Sequence, residues 1–180
     1  NMAKGNRLQS LLDGVKNKIR PSSSELAQLK KAEDKIVSKL RKALPDDVEI
    51  GLMGSIAKGT FLKGNGDLDI FLLFPPSYKP EDAKQKGLAW AKKAMKGFRT
   101  EVNYAQHPYL KVYLGQIKAD IVPSFKMENS EKLKTAVDRS QLHKIWVNAR
   151  LDEKMRDDVR LLKQFCKNIG IYGAQSRVEG

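Results

Sequence analysis

The stretch that decides the fold is GSIAKGT (residues 54–60), followed after a short loop by DLDIFLLF (residues 67–74). In an extended strand alternate side chains share a face, so we expect Asp67 and Asp69 to point the same way while Leu68 faces a core. Two carboxylates at the edge of a buried strand are costly unless a cation such as Mg²⁺ neutralises them. The pair alone is unspecific, because alternating acids also occur on solvent-facing strands.

The turn before this strand has the composition of a phosphate-binding loop. Gly54 and Gly59 allow tight turns and close approach to a ligand, and Ser55 offers a hydroxyl and a backbone N–H. We expect residues 55–60 to open a helix, whose N-terminal polarity favours an anion. An ordinary strand-to-helix turn is the alternative. A third acid, Asp120, in a strand-like segment, makes the combination more specific than its parts.

This combination resembles the DNA polymerase β type nucleotidyltransferase superfamily. Longer blocks are similar to the archaeal, class I, CCA-adding tRNA nucleotidyltransferases: GSIAKGTFLKGNGDLDIFLLFP at 54–75, YAQHPY at 104–109, ADIVP at 119–123, TAVDRS at 135–140, RLLK at 160–163 and GIYGA at 170–174. The resemblance implies an α+β fold, a polymerase β-like palm whose mixed sheet bears the carboxylates and is backed by two helices. The first helices of a helical neck domain would follow.

The resemblance also implies a division of the chain. Residues 1–137 would be the catalytic head and residues 138–180 the start of the neck. Members of the family continue into tRNA-binding body and tail domains, so we expect this chain to be a truncated form, with Asn1 left from cloning. The resemblance further implies homodimers of the full-length protein, through regions beyond this chain.

A capping box at Ser22 and Glu25, a helix start at Pro80, an N-cap at Asp152 and the apolar spacing predict helices between residues 22 and 45, 80 and 97, and 152 and 170. We expect the helix at 22–45 to be the first of the chain. The helix at 152–170 carries six apolar positions spaced for burial: Met155, Val159, Leu162, Phe165, Cys166 and Ile169. We expect Cys166 to be a core residue, and the truncation to leave part of this apolar face uncovered.

By resemblance, Asp67, Asp69 and Asp120 are the catalytic residues and hold two Mg²⁺ ions. One ion would activate a 3′-hydroxyl and the other would hold the triphosphate and stabilise departing pyrophosphate. CTP and ATP are the implied substrates, and the implied reaction adds CMP, CMP and AMP to the 3′ end of tRNA without a template. The implied nucleotide contacts are Gly54, Ser55, Lys58, Ser140, His143, Lys163 and Tyr172.

Two of these positions depart from the family. Lys58 stands where relatives have arginine, which keeps the charge and loses the bidentate fork, and Ser140 stands where relatives have threonine. Taken singly, Lys163 would be interpreted as a surface lysine and Tyr172 as a cap on a core. His107 lacks a second histidine or cysteine at ligand spacing, and we expect it to be structural.

Composition agrees with a polyanionic partner. Thirty-four Lys and Arg residues against 21 Asp and Glu give a formal net charge of +13, which suits RNA. A membrane surface would fit the charge too, but no stretch approaches the roughly 20 apolar residues of a spanning helix. The N-terminus lacks a signal-peptide pattern, so we expect a cytoplasmic protein.

Two alternatives stay open from the sequence. A poly(A) polymerase or an oligoadenylate synthetase type enzyme would share the Gly-Ser turn and the three acids, and product length distinguishes these enzymes from a CCA-adding one. A non-catalytic RNA-binding module would need only the positive charge. Replacing Asp69 with alanine distinguishes it, because such a module keeps RNA affinity and has no Mg²⁺-dependent nucleotide binding.

Overall fold

The structure, a computed structural model, describes residues 2–104, 107–127 and 139–172. Within these ranges helices and strands alternate along the chain. They are α1 (Met2–Ile19), α2 (Ser23–Arg41), β1 (Glu49–Met53), α3 (Gly54–Ala57), β2 (Leu68–Phe74), α4 (Pro80–Ala94), β3 (Arg99–Asn103), β4 (Tyr109–Leu114), β5 (Ile117–Phe125), α5 (Arg139–Arg150) and α6 (Glu153–Asn168). The predicted boundary between residues 137 and 138 lies outside the described residues.

The strands form one mixed sheet in the order β1-β2-β5-β4-β3. β2 and β5 are parallel, whereas the pairs β1–β2, β5–β4 and β4–β3 are antiparallel. The parallel register sets Asp69 directly beside Asp120. The sheet therefore confirms the predicted α+β fold and brings two of the predicted acids together from strands that are about fifty residues apart in sequence.

The main core lies between one face of the sheet and the helices α2 and α4, as expected for a sheet backed by two helices. Alternate residues of β2 point into it because side chains in a strand alternate between faces. The buried residues that β2, α2 and α4 contribute are Leu68, Ile70, Leu72, Phe74, Ala32, Ile36, Leu40, Ala83 and Ala91. Asp69 has the opposite parity along β2, so the carboxylates occupy the other face of the sheet.

On that other face, Met53, Phe71 and Leu73 form a smaller buried cluster, against which Val122 packs. This cluster shares its face with Asp69, because residues 69, 71 and 73 alternate with the core residues of β2. The single helical turn α3 follows β1 without a linker and packs against β2, while α5 contacts both β1 and α3. The acidic face of the sheet is thus bordered by helical segments.

The helix starts follow the predicted caps in part. Ser22 Oγ accepts the N–H of Glu25 at 3.1 Å, but the Glu25 carboxylate accepts the N–H of Gly64 at 2.7 Å, so only one half of the capping box is made. Asp152 Oδ1 accepts the N–H of Met155 at 2.8 Å and starts α6 as predicted. The expectation that α2 is the first helix was wrong, because α1 precedes it.

The apolar stripe on α6, whose spacing predicted burial, is mostly exposed, in agreement with the expectation that part of this face is uncovered. Leu162, Phe165 and Ile169 are 62, 60 and 51% exposed, and Cys166, expected in the core, is only half-buried. The buried residues of α6 are the charged Asp157 and Arg160. The helix presents its polar face inward because of what it packs against. It forms an ion pair with α1, and its side chains donate hydrogen bonds to a row of backbone carbonyls. No helix within the described ranges is long and apolar enough to cross a membrane.

Candidate active site

Asp69 and Asp120 form the centre of the site. The two residues are partners across the parallel β2–β5 pair, and both are partly buried. Burial first, then the charges of Asp120 and Asp67, raise the pKa of Asp69 from 3.8 to about 6. Burial also raises the pKa of Asp120, although Lys111 opposes the shift. Two carboxylates with raised pKa values in one place make a site that is stabilised by an added cation or a proton.

Gly54 packs its backbone directly onto the Asp69 carboxylate. A Cβ at this position would come within 1.7 Å of Asp69 Oδ2, and the φ angle of +76° favours glycine as well. No other residue type fits without displacing the carboxylate. The Gly-Ser turn is therefore placed against the acid, and Ser55 follows it immediately. The turn is shorter than predicted, since α3 spans only Gly54–Ala57.

Asp120 has an incompletely satisfied carboxylate. Its Oδ1 atom is buried and lies 3.3 Å from Lys111 Nζ, yet within the described residues no hydrogen bond reaches it. Asp67 is exposed and lies just before β2, outside the strand that was expected to align it with Asp69. As the side chains lie, no group of three His, Cys, Asp or Glu residues within the described ranges is gathered closely enough to hold a metal ion.

The donor set nevertheless fits a hard divalent cation. Oxygen ligands on Asp69 and Asp120 stand side by side, and the buried Oδ1 of Asp120 has an acceptor position that a metal would satisfy. Lys111 now supplies the positive charge beside Asp120. Asp67, at the exposed rim, is close enough to raise the pKa of Asp69 by its charge. These three aspartates are the residues that could hold a metal.

Lys58 and His143 meet beside the acids. Lys58 Nζ lies 3.1 Å from His143 Nδ1, although the two residues are far apart in sequence. Burial lowers the pKa of Lys58, while the Asp69 carboxylate opposes this effect. The ammonium group of Lys58 can donate to an anionic ligand such as a phosphate. The structure thus brings Lys58 and His143 together near the acids and the Gly54–Ser55 turn.

Lys163 contacts the loop between the turn and β2. Its Nζ donates to Thr60 O at 2.8 Å and to Thr60 Oγ1 at 3.2 Å, while Thr60 N donates to Ser55 O at 3.0 Å. Burial, followed by the charges of Lys58 and Arg160, lowers the pKa of Lys163. Because an ammonium group has three donors, one remains for a ligand after the two bonds to Thr60.

One predicted contact, Tyr172, is not brought into this cluster. Tyr172 lies beyond the end of α6, is 49% exposed, and makes no hydrogen bond to the other site residues within the described part of the chain. Ser140 belongs to the first turn of α5, but its side chain lies outside the described residues. Their roles as nucleotide contacts stay predictions, as does the role of Lys163.

Side chains of α5 and α6 donate to five consecutive backbone carbonyls, from Ala57 to Phe61. The bonds are Asn148 Nδ2 to Ala57 O (3.2 Å), Arg156 Nε to Lys58 O (3.0 Å), Arg160 Nη2 to Gly59 O (2.5 Å), Lys163 Nζ to Thr60 O (2.8 Å) and Arg160 Nε to Phe61 O (3.1 Å). We call this segment, residues 57–61, the clamped loop. It follows Ser55 closely and contains Lys58.

Sequence reasoning missed three participants: Lys111, Arg156 and the buried role of Arg160. A signal for the arginines was present, because residues 156, 160 and 163 recur at the spacing of one helix face and are all basic. A signal for Lys111 was present too. If residues 115 and 116 form a two-residue turn, counting back along the hairpin sets Lys111 opposite Asp120, as observed.

Comparison with known proteins identifies relatives of the chain. The family described as "Nucleotidyltransferase domain" matches residues 33–143. A CCA-adding enzyme of Sulfurisphaera tokodaii is 40% identical over 166 residues, which are 92% of this chain and 39% of that protein. A CCA-adding enzyme of Thermoplasma acidophilum is 40% identical over 169 residues, 92% of this chain and 75% of that one. The chain thus spans about two fifths of the first relative.

The fold has a counterpart among solved structures. A structure of the Cid1 poly(U) polymerase bound to MgATP aligns with 93% of this chain and 50% of its own length, at a TM-score of 0.71 and 20% identity. At that identity the likeness concerns the fold alone. It confirms the predicted nucleotidyltransferase fold.

Proposed function

Because this chain belongs to the nucleotidyltransferase domain family, among the CCA-adding enzymes, we propose that it is the catalytic head of an enzyme that adds CMP, CMP and AMP to the 3′ end of tRNA. CTP and ATP are the proposed nucleotide substrates. The observation that carries the proposal is the pairing of Asp69 with Asp120 across β2 and β5, with Gly54 packed against the Asp69 carboxylate.

We assign Asp67, Asp69 and Asp120 to hold two Mg²⁺ ions. When bound there, Mg²⁺ would lower the pKa of the attacking 3′-hydroxyl and neutralise charge on the triphosphate. The raised pKa of Asp69 supports this assignment, since burial and neighbouring acids make its charge costly without a cation. The buried Oδ1 of Asp120, which lacks a hydrogen bond within the described residues, supports it as well.

The other residues bind and orient the nucleotide. We assign Ser55 and Lys58 to the triphosphate, together with His143 and the remaining donor of Lys163. In the transfer a bond forms between the 3′-oxygen and the α-phosphorus, and the bond from that phosphorus to the bridging oxygen breaks, so pyrophosphate leaves. Asp120 is assigned to accept the hydroxyl proton, a role for which its raised pKa is suited.

The partner proposed for this head is tRNA. The net charge of +13 supports it, because basic groups that contact phosphates release counterions from the RNA. A tRNA substrate also supports action in the cytoplasm, which we propose as the location. We further propose that the full-length protein forms a homodimer.

The test is a calorimetric titration of CTP and of ATP into the chain, with and without Mg²⁺. We expect both nucleotides to bind only with Mg²⁺, and Asp69→Asn to abolish the binding while the chain stays folded. The matched control is Asp46→Asn, which changes an exposed aspartate in the turn between α2 and β1. Mg²⁺-dependent binding that survives in Asp69→Asn would refute the assignment of the acids.

A second measurement tests the reaction itself. The full-length protein is incubated with tRNA lacking its terminal nucleotides, and the products are sized and sequenced. Addition of three nucleotides reading CCA supports the proposal. A long adenylate tract, or a 2′-linked product, identifies another nucleotidyltransferase, and RNA binding without any transfer identifies a binding module.

A further inference from the structure

We propose that Arg160 is a positioning residue, which holds the clamped loop in the conformation that sets Ser55 and Lys58 at the nucleotide site. This inference rests on the proposed function, since it concerns the same site. It assigns to α6 a part in nucleotide binding that is independent of Lys163. The three observations that carry it are the burial of Arg160, its hydrogen bonds, and the connection of the loop to the Gly-Ser turn.

Arg160 is only 7% exposed and uses each nitrogen of its guanidinium group. Nε donates to Phe61 O at 3.1 Å, Nη2 to Gly59 O at 2.5 Å and Nη1 to Asp157 Oδ1 at 2.9 Å. A buried guanidinium is costly unless its donors are paired, so this arrangement is specific. The two carbonyls lie on either side of Thr60, and the planar fork therefore fixes their relative orientation.

The clamped loop transmits this constraint to the site. Thr60 N donates to Ser55 O and Gly59 N donates to Ile56 O, both at 3.0 Å, so the loop folds back onto the Gly-Ser turn. Lys58 lies within the loop, and its carbonyl accepts from Arg156 at 3.0 Å. Holding the carbonyls of residues 59 and 61 thus limits the movement of the residues assigned to the triphosphate.

The loop needs such support because residues 58–61 are not part of a regular element. α3 is a four-residue turn, too short to be stable by itself, since helix formation requires a costly nucleus. Gly59 has a φ angle of +66° and nothing larger than hydrogen on its α-carbon to restrict it. Carbonyls outside a helix or strand need other donors when buried, and Arg160 supplies them at two positions.

Asp157 fixes the orientation of Arg160. Its side chain is 5% exposed, and besides Arg160 it accepts a two-point contact from Arg20, the residue that follows α1. Two guanidinium groups sharing one carboxylate form a network in which the buried carboxylate is fully paired. The network joins the end of α1, α6 and the clamped loop, and it pairs Arg160 on all three guanidinium nitrogens.

A lysine cannot reproduce these contacts. An ammonium group is a point charge at the end of a flexible chain, whereas the guanidinium presents donors in a fixed plane. Arg160→Lys keeps the charge beside Asp157, which keeps the chain folded, but it cannot span both carbonyls. Arg160→Met removes the donors entirely. Arg41→Met is the matched control, because Arg41 donates to Val48 O at 3.1 Å in a part of the fold away from the acids.

The experiment compares these variants by calorimetric titration of CTP with Mg²⁺, well below their melting temperatures. We expect both Arg160 variants to bind CTP about tenfold more weakly than the wild type, a typical effect of removing a residue that orients a ligand-binding group. Arg41→Met should bind CTP as the wild type does. Hydrogen exchange without nucleotide should become faster at the amides of residues 58–61 in Arg160→Lys and stay unchanged there in Arg41→Met.

The outcomes separate this inference from the proposed function. If the wild type binds no CTP with Mg²⁺, the proposed function fails and the inference fails with it. If the wild type binds CTP and folded Arg160→Lys binds it equally well, the positioning role is overturned while the function stands. A lower melting temperature with unchanged affinity overturns the role too, because a purely structural residue alters stability alone. Should Arg160→Met fail to fold, Arg160→Lys decides.

Discussion

Replacing Asp69 with asparagine should stabilise the folded chain at neutral pH in the absence of metal. The reason is the pKa of Asp69, which burial and the charges of Asp120 and Asp67 raise from 3.8 to about 6. Each pKa unit corresponds to about 1.4 kcal/mol. Ionising Asp69 in the folded chain therefore costs about 3 kcal/mol more than in the unfolded chain, and an asparagine of nearly the same shape avoids that cost.

The dependence on pH follows from the sign of this shift. Between about pH 4 and 6 the folded chain holds a proton on Asp69 that the unfolded chain has lost, so the stability of the wild type falls as pH rises. Asparagine does not titrate. The advantage of Asp69→Asn over the wild type should therefore grow by about 3 kcal/mol between about pH 4 and 7, and level off above that.

The assay is urea denaturation of the wild type and Asp69→Asn at several pH values, in a chelator and then in millimolar Mg²⁺. Mg²⁺ should stabilise the wild type by mass action and leave the variant unchanged, which reduces or reverses the advantage of the variant. Asp46→Asn, an exposed substitution, controls for the general effect of one lost charge. An advantage that is independent of pH, or an equal response of both proteins to Mg²⁺, would refute the reasoning.

Two further comparisons test the supports of the site. In urea denaturation, Gly54→Ala should lower the free energy of unfolding by about 2 kcal/mol more than Gly64→Ala does. Both glycines have positive φ angles, but only at Gly54 would a Cβ collide with another group, the Asp69 carboxylate. An equal loss of stability in the two variants would mean that the Asp69 carboxylate moves freely, and it would contradict this prediction. Asp157→Asn should lower the free energy of unfolding by about 3 kcal/mol, since it leaves buried arginine charge unpaired. Its exposed neighbour Asp158 forms a surface ion pair with Lys16, so Asp158→Asn should change stability little. Similar losses in both variants would contradict this.

Much of the sheet could be predicted because its signals are local. Successive side chains of a strand point to opposite faces of the sheet, so Leu68 and Asp69 of β2 lie on different faces whatever the rest of the fold is. The turn at residues 115–116 sets the register of β4 and β5 in the same way. The third acid, Asp120, could be joined to Asp69 only through the family resemblance, because a parallel pairing across fifty residues has no local signal.

Which face of α6 is buried could not be predicted from the apolar spacing of the helix. Apolar spacing indicates which residues would suit a core, but it does not say whether a core is there to receive them. Leu162 and Phe165 lie on the exposed side, while Arg160 and Asp157 face inward, because the surface that α6 meets consists of carbonyls and the charged Arg20. Burial follows the partner surface, and the partner surface is fixed only by the tertiary fold.

The same contacts explain why a four-residue turn suffices to present Ser55. A turn as short as α3 cannot rely on its own hydrogen bonds, and its helix polarity is small for the same reason. Its shape is instead imposed from two sides, by the Asp69 carboxylate against Gly54 and by Arg160 on the clamped loop. The Asp69 carboxylate is negatively charged and the Arg160 guanidinium is positively charged. A ligand that neutralises Asp69 therefore alters the contact with Gly54. We therefore expect metal at the acids and order in the loop to be coupled, with Arg156, Arg160 and Lys163 as the residues through which α6 contacts the loop.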